Sequence, residues 1–417
     1  MNPVTLFLVS LAGIFLVGSV GEAVFKRTNI PDVVWLIVMG LFVGPVTHLV
    51  EARSLGRIAP YFAALTLIIV LFEGGSRLKI REVAQEAHRS LLLALLTFSA
   101  SVLAVFLVAL IPASAGLLPG WTWQHCLLLG TILGGSSSIV IMPTLQQAKI
   151  KPGVSNLLNL ESAFTDVFCV VGTSALLDLF TSNGGSSPFG ALTRSFGLGL
   201  FFGLGAGAVW LLALKPLRSI NQPYAVTLSF LILLYVLVDR SGGSAALAIL
   251  AYSVVVGNAG WISRKLKLTE PLGMGEDVRG FHSQLAFFIK SFFFTFIGAM
   301  LTPPWGFILF GVLLGFLLLP ARYPGAWVSG RGGKLDAGER LLVTASLPRG
   351  MAAGVLATMP AAAGMAGTDD LPVIVFACVF TTILIFAVGF PLALKKSAQA
   401  AVPVPVPADR TPDDPAA

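Results

Sequence analysis

The stretch VSNLLNLESAFTDVFCVVGTSALL, residues 154–177, decides how the chain is read: it is apolar over the length of a membrane span yet carries two carboxylates, Glu161 and Asp166. A span needs about 20 largely apolar residues to cross about 30 Å of hydrocarbon, and without water the backbone satisfies its own hydrogen bonds there only as a helix or a closed barrel. Rising about 1.5 Å per residue from Val154, a helix places Asp166 about 18 Å deep, close to the midplane. A charge at that depth costs about 3 kcal/mol on insertion scales, so an acid kept there reads as functional.

The rest of the sequence agrees that lipid is the solvent. Of 417 residues, 56% are hydrophobic and 11% charged, and the mean hydropathy is +0.87, far outside the range of a soluble domain. Apolar runs separated by Pro, Gly or charge fall near residues 4–20, 33–50, 59–73, 90–111, 125–148, 154–177, 189–214, 223–238, 244–258, 282–301, 305–321, 340–360 and 371–394. They predict an all-α polytopic membrane protein of thirteen transmembrane helices, a membrane domain over 1–394 with a disordered, Pro/Ala-rich cytoplasmic tail over 395–417.

Basic residues set the expected orientation. Lys26, Arg27, Arg77, Lys79, Arg81, Arg89, Lys149, Lys151, Lys215, Arg218, Arg264, Lys265, Lys267, Arg279, Arg331, Lys334 and Arg340 all follow odd-numbered runs, whereas the alternate loops hold only Arg53, Arg57 and Arg240. The odd-numbered loops are therefore expected in the cytoplasm, with the N-terminus outside and the C-terminus inside. The first run lacks a basic n-region and reads as a span and not as a cleaved leader. The net charge of +7 is a topology signal spread over many loops, and implies no nucleic-acid partner. Cys126, Cys169 and Cys378 lie in apolar runs without metal-ligand spacing and read as small apolar residues.

Two runs are interrupted at mid-depth. The fifth holds Gly134, Gly135, Ser136, Ser137 and Ser138, and the twelfth holds Pro348, Arg349 and Gly350. With 189–214 as a linking span, repeats over about 1–180 and 223–394 would be six-helix units, inverted because the linker is odd, with broken helices 5 and 12 in corresponding places. That is where transporters of this kind bind their cargo.

Glu161 and Asp166 are five residues apart, about 140° around a helix, so they face different ways and have different tasks. Ser162 lies one turn before Asp166 and could offer it a neutral oxygen; Thr165 stands likewise to Glu161. Burial favours the protonated form of a carboxyl and a bound cation favours the ionised one, so a single acid can hold a proton or a cation in competition. If only those neutralised states cross, one proton exchanges for one cation. Glu161 needs a cationic partner, and the candidates are Arg322 and Arg349. Lys290 is expected to snorkel to the interface, Glu73, Asp178 and Asp239 to face water at span ends, and His48, His88, His125 and His282 to be solvated. No Walker A, Rossmann fingerprint, CxxC or HExxH occurs, which argues against a primary pump; no cofactor and no enzyme activity are expected, since an intramembrane aspartyl enzyme would need two facing midplane aspartates and only Asp166 qualifies.

The run Glu161-Ser162-Ala163-Phe164-Thr165-Asp166 resembles the Glu-Ser-x-x-Asn-Asp signature of the monovalent cation:proton antiporter superfamily. Leu71-Phe72-Glu73-Gly74-Gly75-Ser76, the Gly/Ser break of span 5, Phe293-Phe294-Thr295-Phe296-Ile297-Gly298 and Pro348-Arg349-Gly350 follow the family's order. The resemblance implies a thirteen-helix inverted-repeat fold, a homodimer and an ion site where spans 5 and 12 cross beside span 6. It implies that Asp166 carries the ion and proton, that Glu161 pairs with Arg322, and that a hydroxyl among Ser136 to Ser138 lies near the ion. The implied activity is exchange of Na+, or K+ or Li+, for H+ across a bacterial inner membrane, and with one free acid that exchange is expected to be electroneutral; the alternatives are K+/H+ efflux and a channel or sensor without proton coupling. Thr165 in place of Asn, and Ser-Ser-Ser in place of Thr-Asp-Pro in span 5, depart from the sodium-exchanger pattern, the latter toward the potassium-efflux branch.

Overall fold

The computed structural model describes residues 3–28, 30–49, 52–78, 80–181, 188–217, 223–265, 276–330 and 335–400. Among them the chain is helical throughout, with no strand. In order the helices are α1 (Pro3–Thr28), α2 (Asp32–Leu41, continued by a π-helical turn, Phe42–Val46), α3 (Ala52–Arg77), α4 (Ile80–Ser114), α5 (Trp123–Ile132) and α6 (Ser138–Gln147). Then come α7 (Pro152–Thr181), α8 (Pro188–Leu217), α9 (Pro223–Arg240), α10 (Ala245–Gly257), α11 (Ala259–Lys265) and α12 (Glu276–Ala299). The last are α13 (Trp305–Ser329), α14 (Ala337–Ala345), α15 (Met351–Leu356), α16 (Met359–Ala362) and α17 (Leu371–Ala400).

Each expected apolar run falls on one helix or one interrupted pair, except 340–360, which is divided among α14, α15 and the start of α16. By length and composition, five described helices (His88–Ser114, Pro152–Thr181, Thr193–Ala213, Trp305–Ser329 and Leu371–Lys396) are able to cross a membrane alone. The pair α10 and α11, bent by 59°, makes a sixth. That bend was not expected. Its cause is Asn258, whose amide donates to Val254 O at 2.8 Å and to Leu78 O at 2.6 Å, tying the break to the end of α3. Helix α17 also runs on through Lys395 and Lys396 to Ala400, past the expected end of the membrane part; residues 401–417 lie outside the described residues.

Packing partners recur at corresponding places along the chain. α2 packs on α12 as α10 packs on α3, α4 on α7 as α13 on α17, and α4 on α5 as α13 on α14. This sorts the helices into two groups: α1–α3 with α9–α12, and α4–α7 with α13–α17. Exposed Leu16, Leu103, Ile111, Phe201, Leu212, Leu313 and Val388 cover the outside, as a lipid-facing surface requires.

Candidate site at the crossing of two broken helices

Both interruptions are real breaks. α5 stops at Ile132 and α6 starts at Ser138; α14 stops at Ala345 and α15 starts at Met351. The non-helical segments between them meet: the Ser137 amide donates to Pro348 O at 2.8 Å, a main-chain bond between the breaks. Close approach depends on Gly350, where an added Cβ would overlap the Ser137 side chain, and on Gly135, where one would meet Cys169 Sγ at 2.8 Å. Gly350→Ala is therefore expected to lower the stability of the protein by about 1–3 kcal/mol through overpacking. Thermal unfolding of the purified variant checks this, and an unchanged melting temperature would mean that the crossing is looser than described.

Helix α7 lies beside the crossing and brings Glu161, Ser162 and Thr165 to it, with Asp166 one residue further along. Glu161 is fully buried and receives a two-pronged ion pair from Arg322 of α13, Nη1 to Oε1 at 3.0 Å and Nη2 to Oε2 at 2.8 Å. Ser136 Oγ donates to the same carboxylate at 3.0 Å and Thr97 Oγ1 of α4 at 3.2 Å. Arg322 is itself held by Nε donating to Val343 O at 2.8 Å. Such a forked, multiply bonded pair is the geometry in which buried charges become tolerable.

Arg349 is not part of that pair. Its Nη1 donates to Gly135 O at 2.6 Å, its Nη2 to Ser101 Oγ of α4 at 3.1 Å, and its amide to Thr382 Oγ1 of α17 at 3.0 Å. The guanidinium thus caps the broken end of α5, where free carbonyls and the negative end of the helix dipole favour a cation. The hydroxyls of α7 are also committed. Ser162 Oγ donates to Ser136 O at 2.9 Å, and Thr165 Oγ1 donates to Ser162 O at 3.0 Å while accepting the Ser136 amide at 3.2 Å. Thr165 therefore serves the break and not its turn-neighbour Glu161. Ser138 begins α6. Asp166 is half-buried, and among the described residues it makes no hydrogen bond or ion pair.

A cavity of about 260 Å³ runs between the two helix groups, lined by Glu73 of α3, Ser283, Phe287 and Lys290 of α12, Ser138 and Met142 of α6, and Met351 of α15. It reaches the break at Ser138; Asp166 is not in its lining. Glu73, expected to face open water, is half-buried in this wall. Lys290 does not run free to the interface but pairs with Asp32 at 2.5 Å. His48 and His88 are exposed as expected, but His125 is buried, its ring bonded between Thr122 and Ala366 O, and His282 meets Tyr224 Oη at 2.9 Å. The cysteines are buried and free. The hydrogen bond from Lys151 to Glu339 (2.7 Å) raises the Lys151 pKa above its ordinary value and ties the loop after α6 to the start of α14.

Sequence reasoning missed Asp32, Thr97, Ser101 and Thr382. Thr97 and Ser101 did carry a signal: polar residues at i, i+4 spacing in an otherwise apolar run lie on one helix face.

An all-helical bundle in which two interrupted helices touch beside a buried acid defines an ion-coupled membrane transporter. The sodium/hydrogen exchanger transmembrane family matches residues 11–395, and the chain belongs to that family. It is similar to the K(+)/H(+) antiporter NhaP2 of Shewanella baltica, 25% identical over 425 aligned residues, covering 96% of this chain and 70% of that protein. It is likewise similar to Na(+)/H(+) antiporter 1 of Methanocaldococcus jannaschii, 25% identical over 376 residues and 85% of this chain. In fold it is similar to the sodium proton antiporter MjNhaP1 of the same organism, with a TM-score of 0.74 at 21% identity, covering 95% of this chain and 99% of that one.

Proposed function

We propose that this protein is a secondary antiporter that exchanges one monovalent cation, Na+ or K+, for one proton, with Asp166 as the carrier of both. The observation that carries the reading is the division of labour on α7. Glu161 is neutralised by Arg322, whereas Asp166 has no bonded partner among the described residues and retains its capacity for cargo. Ser162, Thr165 and Ser136 to Ser138 surround the break beside it and supply oxygen ligands as local bonds rearrange.

Charge counting supports electroneutral exchange. Arg322, Arg349 and Glu161 are permanent members of the buried set, and Asp166 adds one negative charge when empty. Protonated or cation-bound, it leaves the set with the same net charge, so both loaded states cross against the same membrane potential. The proposal extends to thirteen spans in two inverted repeats, about 1–180 and 223–394, joined by 189–214, with the N-terminus outside and the C-terminus in the cytoplasm. It places a homodimer in a bacterial inner membrane. Alternating access is then movement of the broken-helix group against the group holding α3 and α12, with the cavity between them as one access path.

The test is the full chain reconstituted in liposomes with a lumenal pH dye, challenged with NaCl, KCl or LiCl. The expected result is a cation-dependent change of lumenal pH whose rate does not respond to an imposed potential. The relatives named as K(+)/H(+) antiporters make KCl the informative arm. Cation flux without proton movement would replace the antiporter with a channel.

A further inference from the structure

Lys290 presents a problem for any cation that uses the cavity between the two helix groups. Its side chain is part of the wall that also holds Glu73, and a bare ammonium there would repel the cargo. Asp32 answers it. Asp32 opens α2, which packs on α12, and its Oδ2 lies 2.5 Å from Lys290 Nζ, the two side chains being only 14% and 17% exposed. The Lys290 ammonium lies over the Phe287 ring, 5.5 Å from its centroid. At the first position of α2 the helix dipole adds to the preference for a negative charge.

We propose that Asp32 is a positioning residue for cation uptake: by pairing with Lys290 it cancels the positive charge that an entering cation would otherwise meet on the cavity wall. Asp32 touches no cargo and acts through Lys290. The proposal rests on the antiport reading above, and adds to it a determinant of apparent affinity that stands outside the helix crossing. The size of the effect follows from Coulomb's law. One uncompensated charge about 10 Å from an entering cation, at an effective dielectric of about 20 to 40, weakens its binding about 4- to 15-fold.

The experiment is proton-coupled exchange in liposomes with Na+ and with K+ as probes, giving KM and kcat for the wild type, Asp32→Asn, Asp32→Glu, Lys290→Met and Asp32→Asn/Lys290→Met. Asp32→Asn is expected to raise KM for the cation about 4- to 15-fold while kcat stays within about twofold. Added impermeant salt should shrink that difference, since it screens an unpaired charge. Asp32→Glu keeps the wild-type KM, and the double variant returns KM to within about twofold of it, because removing both charges leaves nothing to cancel. Lys290→Met alone, which leaves Asp32 near the wall without its partner, lowers KM. That variant decides the matter where Asp32→Asn yields too little folded protein.

The outcomes that overturn the proposal are an unshifted KM in Asp32→Asn, a double variant no better than Asp32→Asn, or a Lys290→Met KM that is unchanged or raised. The first makes the pair electrically irrelevant to uptake; the second makes it a structural clasp. A wild type that moves no protons in answer to either cation removes the antiport reading itself, whereas normal wild-type exchange with unshifted variants removes this proposal alone.

Discussion

Liposomes carrying Asp166→Asn are expected to show no more cation-driven proton movement than protein-free liposomes. The amide is isosteric, so the helix and its packing remain, but it neither takes up a proton at working pH nor supplies the charge that holds a monovalent cation. The loss should be in turnover and not in folding. The same preparation should unfold at or slightly above the wild-type temperature, because a half-buried acid without a bonded partner is a cost to the fold that the amide removes. Exchange that survives the substitution undiminished would move the carrier role elsewhere, and Glu73, in the wall of the cavity that reaches the break, would be the next residue to test. Retained cation flux with lost proton coupling would separate the two cargoes and end the single-carrier account.

Arg322→Ala is expected to give the largest loss of stability of any single substitution at the site, about 3–5 kcal/mol. The reason is the charge left behind: Glu161 is 0% exposed, and with the guanidinium gone only the hydroxyls of Ser136 and Thr97 remain to satisfy it. Removal of both charges tells the pair's net worth from the cost of stranding one. Glu161→Gln/Arg322→Met should recover most of the lost stability, since a buried ion pair often adds little over neutral groups of like size. Thermal unfolding in detergent reads both values. An Arg322→Ala protein as stable as the wild type would show that water reaches Glu161. Arg349→Ala is a useful contrast, because it uncovers the Gly135 carbonyl but strands no carboxylate.

The parts of this molecule that were legible in the sequence are those that lipid penalises. A carboxylate in mid-span, a Gly-Gly-Ser-Ser-Ser run and a Pro-Arg-Gly in apolar context all violate the rule for a plain span, and each violation marks a place where protein or cargo has replaced lipid. The buried Glu161 and both breaks were legible that way, and the role proposed for Asp166 starts from the same reading. What stayed hidden were pairings between distant segments. Asp32 reads in sequence as an unremarked first-turn acid after Pro31, and only the packing of α2 on α12 brings it to Lys290. The bend at Asn258 was equally silent, because its cause is a carbonyl on α3 nearly two hundred residues away. The competition between Arg322 and Arg349 for Glu161 was decided by direction. Both reach the crossing, but the end of α5 offers Arg349 a carbonyl that Arg322, already fixed by Val343 O, does not approach.

The bond from the Ser137 amide to the Pro348 carbonyl has a bearing on how such a protein can change its diet. It joins the two breaks through main-chain atoms, which every residue except proline supplies alike at position 137. Side chains at 136 and 138 can be exchanged without breaking that main-chain bond. On the proposed reading, in which these side chains line the ion's place, selectivity among alkali ions could change while the bond between the breaks stays intact.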